Sequence, residues 1–153
     1  MVLVSVTRLH LKSPQYVPAF LWHTAWSTWQ IINTPGFLSG KLLGDAHGGF
    51  WTLTTWEDKS AMQNYRNSGA HRQTMPHIQK WCDEAVVVHW EQKDSSLPDA
   101  VEAHRRMVED GHFTRLSNPS PTQLERHIPE PQSPKPRGLL LRPRRKNVAR
   151  LSV

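Results

Sequence analysis

The chain has 153 residues, 37% of them hydrophobic, with a formal net charge of +6 and a single cysteine. That length suits one domain. Cys82 alone excludes an internal disulfide and fits a reducing, cytoplasmic setting. No apolar run approaches the roughly 18–20 residues of a membrane span, and no signal peptide is evident.

The seven Trp (22, 26, 29, 51, 56, 81 and 90) all fall in the first 90 residues, and the only later aromatic is Phe113. Large apolar side chains build cores, so the domain is expected over residues 1–92. Charge divides at the same place: seven Lys/Arg against six Asp/Glu through Gln92, then twelve against seven from Lys93 on.

In chain order, Val2 to Leu11 reads as a strand with Val2, Val4 and Val6 on one face. Ser13-Pro14 is a helix start, with Ser as cap and Pro in the first turn, and the helix runs to about Asn33 before the breaker Pro35-Gly36. Phe37 to Leu43 and Phe50 to Trp56 form a hairpin around Gly44-Asp45-Ala46-His47-Gly48-Gly49. Asp58 caps a second helix from about Lys59 to Arg66. Helix resumes near Ala70 and is kinked or restarted at Pro76, then Glu84 to Glu91 is the fourth strand.

The order strand, helix, strand, strand, helix, strand is that of a ferredoxin-like α+β fold, βαββαβ. Such a sheet carries its helices on one face, and a second copy is expected to cover the other, giving a homodimer. Beyond residue 92, segment 93–117 is expected to hold a docking helix (Pro98 to about Asp110) with Val101, His104 and Val108 as its apolar stripe. Segment 118–153, with seven prolines, reads as a basic, extended or disordered tail.

On the first helix Trp22, Trp26 and Trp29 form one stripe, and Val17, Phe20/Leu21, Thr24, Thr28 and Ile31 another. One stripe packs on the sheet, so the second borders a partner or a ligand pocket. His23 lies between them. On the next helix His71 aligns with Met75, Ile78 and Cys82, which makes it the pocket-facing histidine, and His77 points elsewhere. No H-x-x-x-H, H-E-x-x-H or C-x-x-C pattern occurs, so no metal site is expected. Nucleotide-binding glycine motifs and a G-x-S-x-G elbow are likewise missing. The basic run Arg142-Pro143-Arg144-Arg145-Lys146 lacks aromatic platforms, so a solvated tail is preferred to a nucleic-acid contact.

Phe50-Trp51-Thr52-Leu53-Thr54-Thr55-Trp56-Glu57-Asp58, followed by Ala61-Met62, Tyr65-Arg66-Asn67-Ser68-Gly69-Ala70-His71-Arg72 and Met75-Pro76, resembles a known pattern, as does the opening Val6 to Leu11 with Phe20-Leu21-Trp22-His23. It is similar to small bacterial proteins related to spheroidene monooxygenase and, more distantly, to the antibiotic-biosynthesis monooxygenases, over roughly residues 2–92. The resemblance implies a dimeric α+β barrel that oxygenates a hydrophobic, polycyclic or polyene substrate, with no cofactor or with haem. It implies His71 as the catalytic proton donor or haem ligand, and Trp22, Trp26 and Trp51 as pocket walls. Trp22, His23, Trp26, Trp51, Trp56 and Met75 are the candidate substrate-binding residues. The competing reading is a non-catalytic dimeric module that binds a small molecule or haem in the same pocket.

Overall fold

A computed structural model describes residues 1–130 and 138–144. β1 (Val2–Leu11) leads through a 3-10 turn, Pro14–Tyr16, into α1 (Val17–Ile32). β2 (Phe37–Gly44) and β3 (Gly49–Trp56) form the hairpin, α2 (Lys59–Arg66) and α3 (Gly69–Trp81) follow, and β4 (Cys82–Gln92) completes the βαββαβ unit. The remainder adds α4 (Ala100–Asp110), β5 (His112–Phe113), α5 (Pro121–Leu124) and β6 (Gly138–Leu141). The sheet is antiparallel throughout in the order β5-β4-β1-β3-β2-β6, whose central four strands keep the ferredoxin-like order.

Local chemistry explains most of the boundaries. The Asp58 carboxylate accepts from the Ala61 N–H at 2.8 Å and caps α2. Gly36 turns at φ +85, and a Cβ there would stand 2.5 Å from that of Ala61, so no side chain fits. Ser13 makes no capping bond. Pro14 and Pro18 instead confine the entry to a 3-10 turn, so the regular helix starts later than Ser13 implies. Pro76 sits inside α3 without ending it.

The alternation along the strands sorts side chains onto two unlike faces. Val4, Val6, Trp51, Leu53, Val86 and Val88 form one cluster with Ala103 and Met107 of α4 and with Ile128. This is the face expected to await a second copy. The chain covers it with its own later segment, so the reasoning from an open face to a dimer does not hold here. α4 docks through Ala100, Ala103 and Met107; of the expected stripe His104 is half-buried, with its Nε2 2.8 Å from the Ile128 carbonyl oxygen, whereas Val101 and Val108 are 54% and 61% exposed. Small Ala and a flexible Met follow the sheet surface more closely than a row of β-branched residues.

The segment after residue 118 also departs from expectation within the described residues. Buried Gln123 donates to the carbonyls of Ala85 and Thr114 and accepts from the Ala85 N–H, each at 3.1 Å. Ile128 is buried, and β6 pairs with β2 and buries Leu141. The rest of the expected tail, 131–137 and 145–153, lies outside the described residues.

Candidate functional site

The opposite face carries α1, α2 and α3, and its core is in two pieces. Leu3, Ile31, Phe37, Trp56, Met62, Tyr65 and Leu141 form one cluster. Leu11, Phe20, Ile78, Trp81, Cys82 and Ala85 form the other. Between them the two central strands turn to hydroxyl side chains: Ser5 pairs in register with Thr54 and His89, and Thr7 with Thr52 and Val87. The inner stripe of α1 changes at the same level, from Phe20 through Thr24 and Thr28 to Ile31. Ser5, Thr7, Thr52 and Val87 are only half-buried although they sit mid-strand in the middle of the sheet, so the helices do not seal this seam.

His71 projects from the first turn of α3 and packs against Tyr65 of α2, at the Trp56 end of the helix face. Its Nδ1 is 3.2 Å from the Arg66 carbonyl oxygen, an acceptor, so Nδ1 carries the proton and Nε2 keeps its lone pair. Its ring packs on Tyr65 at 4.7 Å, and Tyr65 packs on Trp56 at 5.3 Å. Burial pushes the His71 pKa down, opposed by the Arg66 carbonyl and assisted by the Arg66 charge. The imidazole is therefore neutral at pH 7. Tyr65 is held protonated by burial, and its hydroxyl donates to the Ser27 carbonyl at 3.3 Å.

His89 shares this face and is exposed. Partial burial, with the charges of Arg66 and Lys59, lowers its pKa too. It is not among the site residues expected from the sequence. The signal that could have found it is phase: it alternates with Val86, Val88 and Trp90, so it faces the helices when they do not.

Gln30 sets the position of the His71 segment. Its amide nitrogen donates to the carbonyls of Tyr65 (3.0 Å) and Ser68 (2.7 Å), and its amide oxygen accepts from the His71 N–H at 2.8 Å. Outside Gln30 lies a surface groove of about 500 Å³, bounded by Trp26, Trp29, Asn33, Thr34, Pro35, Asn64, Ser68 and Ala70. Its lining carries no acid or base; the Arg144 guanidinium lies over the Trp29 ring at 4.9 Å, so this part of the basic run does have an aromatic platform, contrary to expectation.

The six expected substrate-binding residues do not meet in one pocket. Trp22, Trp26 and Met75 are 64%, 49% and 45% exposed, on the outer surface of α1 and α3. Phe20 and Ile31 win the inward position on α1, which turns the Trp stripe to solvent. Trp51 is buried on the α4 face, donating its indole N–H to Asp45 at 2.8 Å, with the sheet between it and His71. Trp56 lies in the same apolar cluster as Tyr65, whose ring links it to His71. His23 accompanies His77 (5.5 Å) and Trp81 (5.3 Å) near the second apolar cluster, with its Nδ1 3.0 Å from the Thr74 hydroxyl.

Haem does not fit beside His71. The group needs an apolar slot against the ligating imidazole. Here Tyr65 packs on the ring at 4.7 Å and the cation Arg66 lies alongside. Cys82 is fully buried, and burial pushes its thiol up to about 12, so it is not a nucleophile. Among the described residues no helix is long and apolar enough to cross a membrane.

Comparison with known proteins agrees with this architecture. Residues 28–77 match the family model described as antibiotic biosynthesis monooxygenase. Similar solved structures include Rv0793 from Mycobacterium tuberculosis, with a TM-score of 0.57 and 13% identity over 63% of this chain and 99% of that one. A conserved protein from Methanosarcina mazei Go1 gives 0.55 and 14% over 61% and 94%. SnoaB from Streptomyces nogalater, described as a cofactor-independent oxygenase and solved as a mutant form, gives 0.51 and 13% over 61% and 94%. At these identities the structures show a shared fold. No curated protein sequence matches the chain.

Proposed function

We propose that this chain, whose monooxygenase-like α+β fold resembles the antibiotic biosynthesis monooxygenases, is an oxygenase that uses no cofactor. It acts on a hydrophobic small molecule in the hydroxyl-lined seam, with His71 as general base. The observation that carries this reading is the state of His71: neutral through burial, with Nδ1–H fixed on the Arg66 carbonyl and Nε2 left as a base. SnoaB supports it as a protein of the same fold described as cofactor-independent.

An oxygenase without a cofactor must draw its electrons from the substrate. A substrate with an acidic methylene group beside an aromatic ring suits that demand. His71 Nε2 removes one proton, and the carbanion reacts with O2 to form a C–O bond. Loss of water leaves the carbonyl. One methylene and one O2 thus give one carbonyl and one water: the carbon is oxidised, dioxygen is reduced, and no external reductant is needed. The seam hydroxyls and Tyr65 orient substrate oxygens.

One observation favours a second reading. The groove at Trp26 and Trp29 offers indole surface and several amides, with the Arg144 guanidinium over Trp29, but no acid or base in its lining, as expected of a binding module without chemistry. Oxygen uptake on a panel of phenolic polycyclic aromatics separates the two. The oxygenase reading predicts uptake that falls at least a hundredfold in His71→Ala and is unchanged in Trp22→Ala. Ligand binding without uptake, lost in Trp26→Ala and kept in His71→Ala, supports the binding module.

A further inference from the structure

A second constellation lies on the α4 face, at the end of the sheet where the β2–β3 hairpin turns. Arg8 is 2% exposed. Its Nε donates to Asp45 Oδ2 at 2.8 Å and its Nη1 to Glu84 Oε2 at 2.6 Å. Asp45 also receives the indole N–H of Trp51 and the backbone N–H groups of His47 and Gly49, and Glu84 receives the Ser120 hydroxyl at 3.1 Å. His10 pairs in register with both Gly49 and Glu84, and its Nδ1 is 2.6 Å from Asp83 Oδ1. His10, Asp83 and Glu84 each offer one ligand atom, and these lie within 4.8 Å of one another.

Two demands in this cluster are unmet. The first is charge: the Arg8 guanidinium pairs with both Asp45 and Glu84, only 6% and 11% exposed, which leaves one carboxylate charge in excess in that buried trio, and Asp83 beside it pairs with His10 instead. The second is a donor: buried Arg8 Nη2 has no hydrogen-bond partner among the described residues. Nη2 lies over Gly49, where a Cβ would stand 2.6 Å from it, and Gly49 is the strand partner of His10. The imidazole rests under the neighbouring Gly48, where a Cβ would be 3.4 Å from Nε2. The orphan donor thus sits at the level of the sheet where Gly49, His10 and Glu84 lie side by side.

We propose that His10, Asp83 and Glu84 bind one divalent transition-metal cation of the zinc class, carrying a water molecule whose oxygen accepts from Arg8 Nη2. A 2+ ion offsets the excess charge, and its water satisfies the orphan donor. One imidazole and two carboxylates suit zinc better than the all-oxygen shell that calcium or magnesium prefers, and three protein ligands leave a position open for water. Arg8 and Ser120 hold Glu84 from behind, as outer partners of ligating carboxylates do. The ion would fasten β1, β4 and the segment bearing Ser120. This site is separate from His71 and independent of the oxygenase reading.

Calorimetric titration of the full chain with Zn²⁺ tests it, on wild type, His10→Ala, Asp83→Asn and His77→Ala. The expected result is one ion per chain in wild type, affinity at least tenfold weaker in His10→Ala and Asp83→Asn, and no change in His77→Ala, which removes one histidine of the pair on α1 and α3. Absorption of the Co²⁺-loaded wild type needs no variant: visible d–d bands without thiolate charge transfer are expected. Absence of saturable 1:1 binding, undiminished affinity in the first two variants, its loss in His77→Ala, or thiolate bands from Cys82 would each overturn the assignment.

Discussion

The two faces of the sheet solve the same packing problem in different ways. On the α4 face one continuous apolar cluster fills the interior, and charge is gathered at one end, around Arg8. On the helix face the apolar core is split, hydroxyl side chains occupy the strands between the two pieces, and the same face carries His71 and His89, both with lowered pKa. A continuous core gives stability and excludes water. A split core leaves room where a polar group can meet a ligand. In this chain the closed face is built by the segment after residue 92, which leaves the helix face as the one with an opening.

The sharpest way to break this contrast is Arg8→Ala. It strands Asp45 and Glu84 as buried, unpaired carboxylates and should destabilise the chain by about 3–5 kcal/mol in denaturant unfolding. Met107→Ala tests the apolar part of the same face. A loss of about 2–5 kcal/mol is expected, whereas Val108→Ala on the exposed side of α4 should stay within about 0.5 kcal/mol. Equal effects at 107 and 108 would mean that α4 does not dock as described.

Acid titration separates the faces by pH. Burial raises the Asp45 pKa, but the bonds from Arg8, Trp51 and Gly49 outweigh it and bring it from 3.8 to about 2. A carboxylate lowered on folding stabilises above its unfolded pKa, so that contribution, about 2 kcal/mol, is lost as pH falls from about 4 toward 2. Asp45→Asn should flatten this limb of the stability curve. His71 acts higher. Its folded pKa is below 6.5, so the unfolded chain takes up the proton first and stability drops as pH falls below about 6.5. His71→Gln should remove that loss and leave the Asp45 limb intact.

Much of this is legible in the sequence where the signal is local. The strands, the helices and the ferredoxin-like order follow from period-2 and period-3.6 patterns and from the breakers at Pro35-Gly36 and Asp58. Helical phase singles out His71, whose ring packs on Tyr65 of α2. The orientation of α1 is not legible, because both of its stripes are apolar enough to face inward and only the sheet surface decides between them. The binding face of α4 is hidden because Ala103 and Met107 carry less apolar weight than Val101 and Val108. The Arg8 cluster joins positions 8, 10, 45, 83, 84 and 120, which no window along the chain contains. The pairing of β1 with both β3 and β4 brings the first five together, and Ser120 joins them through its bonds to Asp83 and Glu84.

The most direct test of the central claim is nitrogen-15 NMR of the His71 imidazole, assigned by comparison with His71→Gln, across pH 4 to 8. The account predicts a neutral ring protonated at Nδ1 near pH 7 and a titration midpoint below 6.5. A ring protonated at Nε2, or a midpoint at or above 6.5, would contradict it and remove His71 as the base.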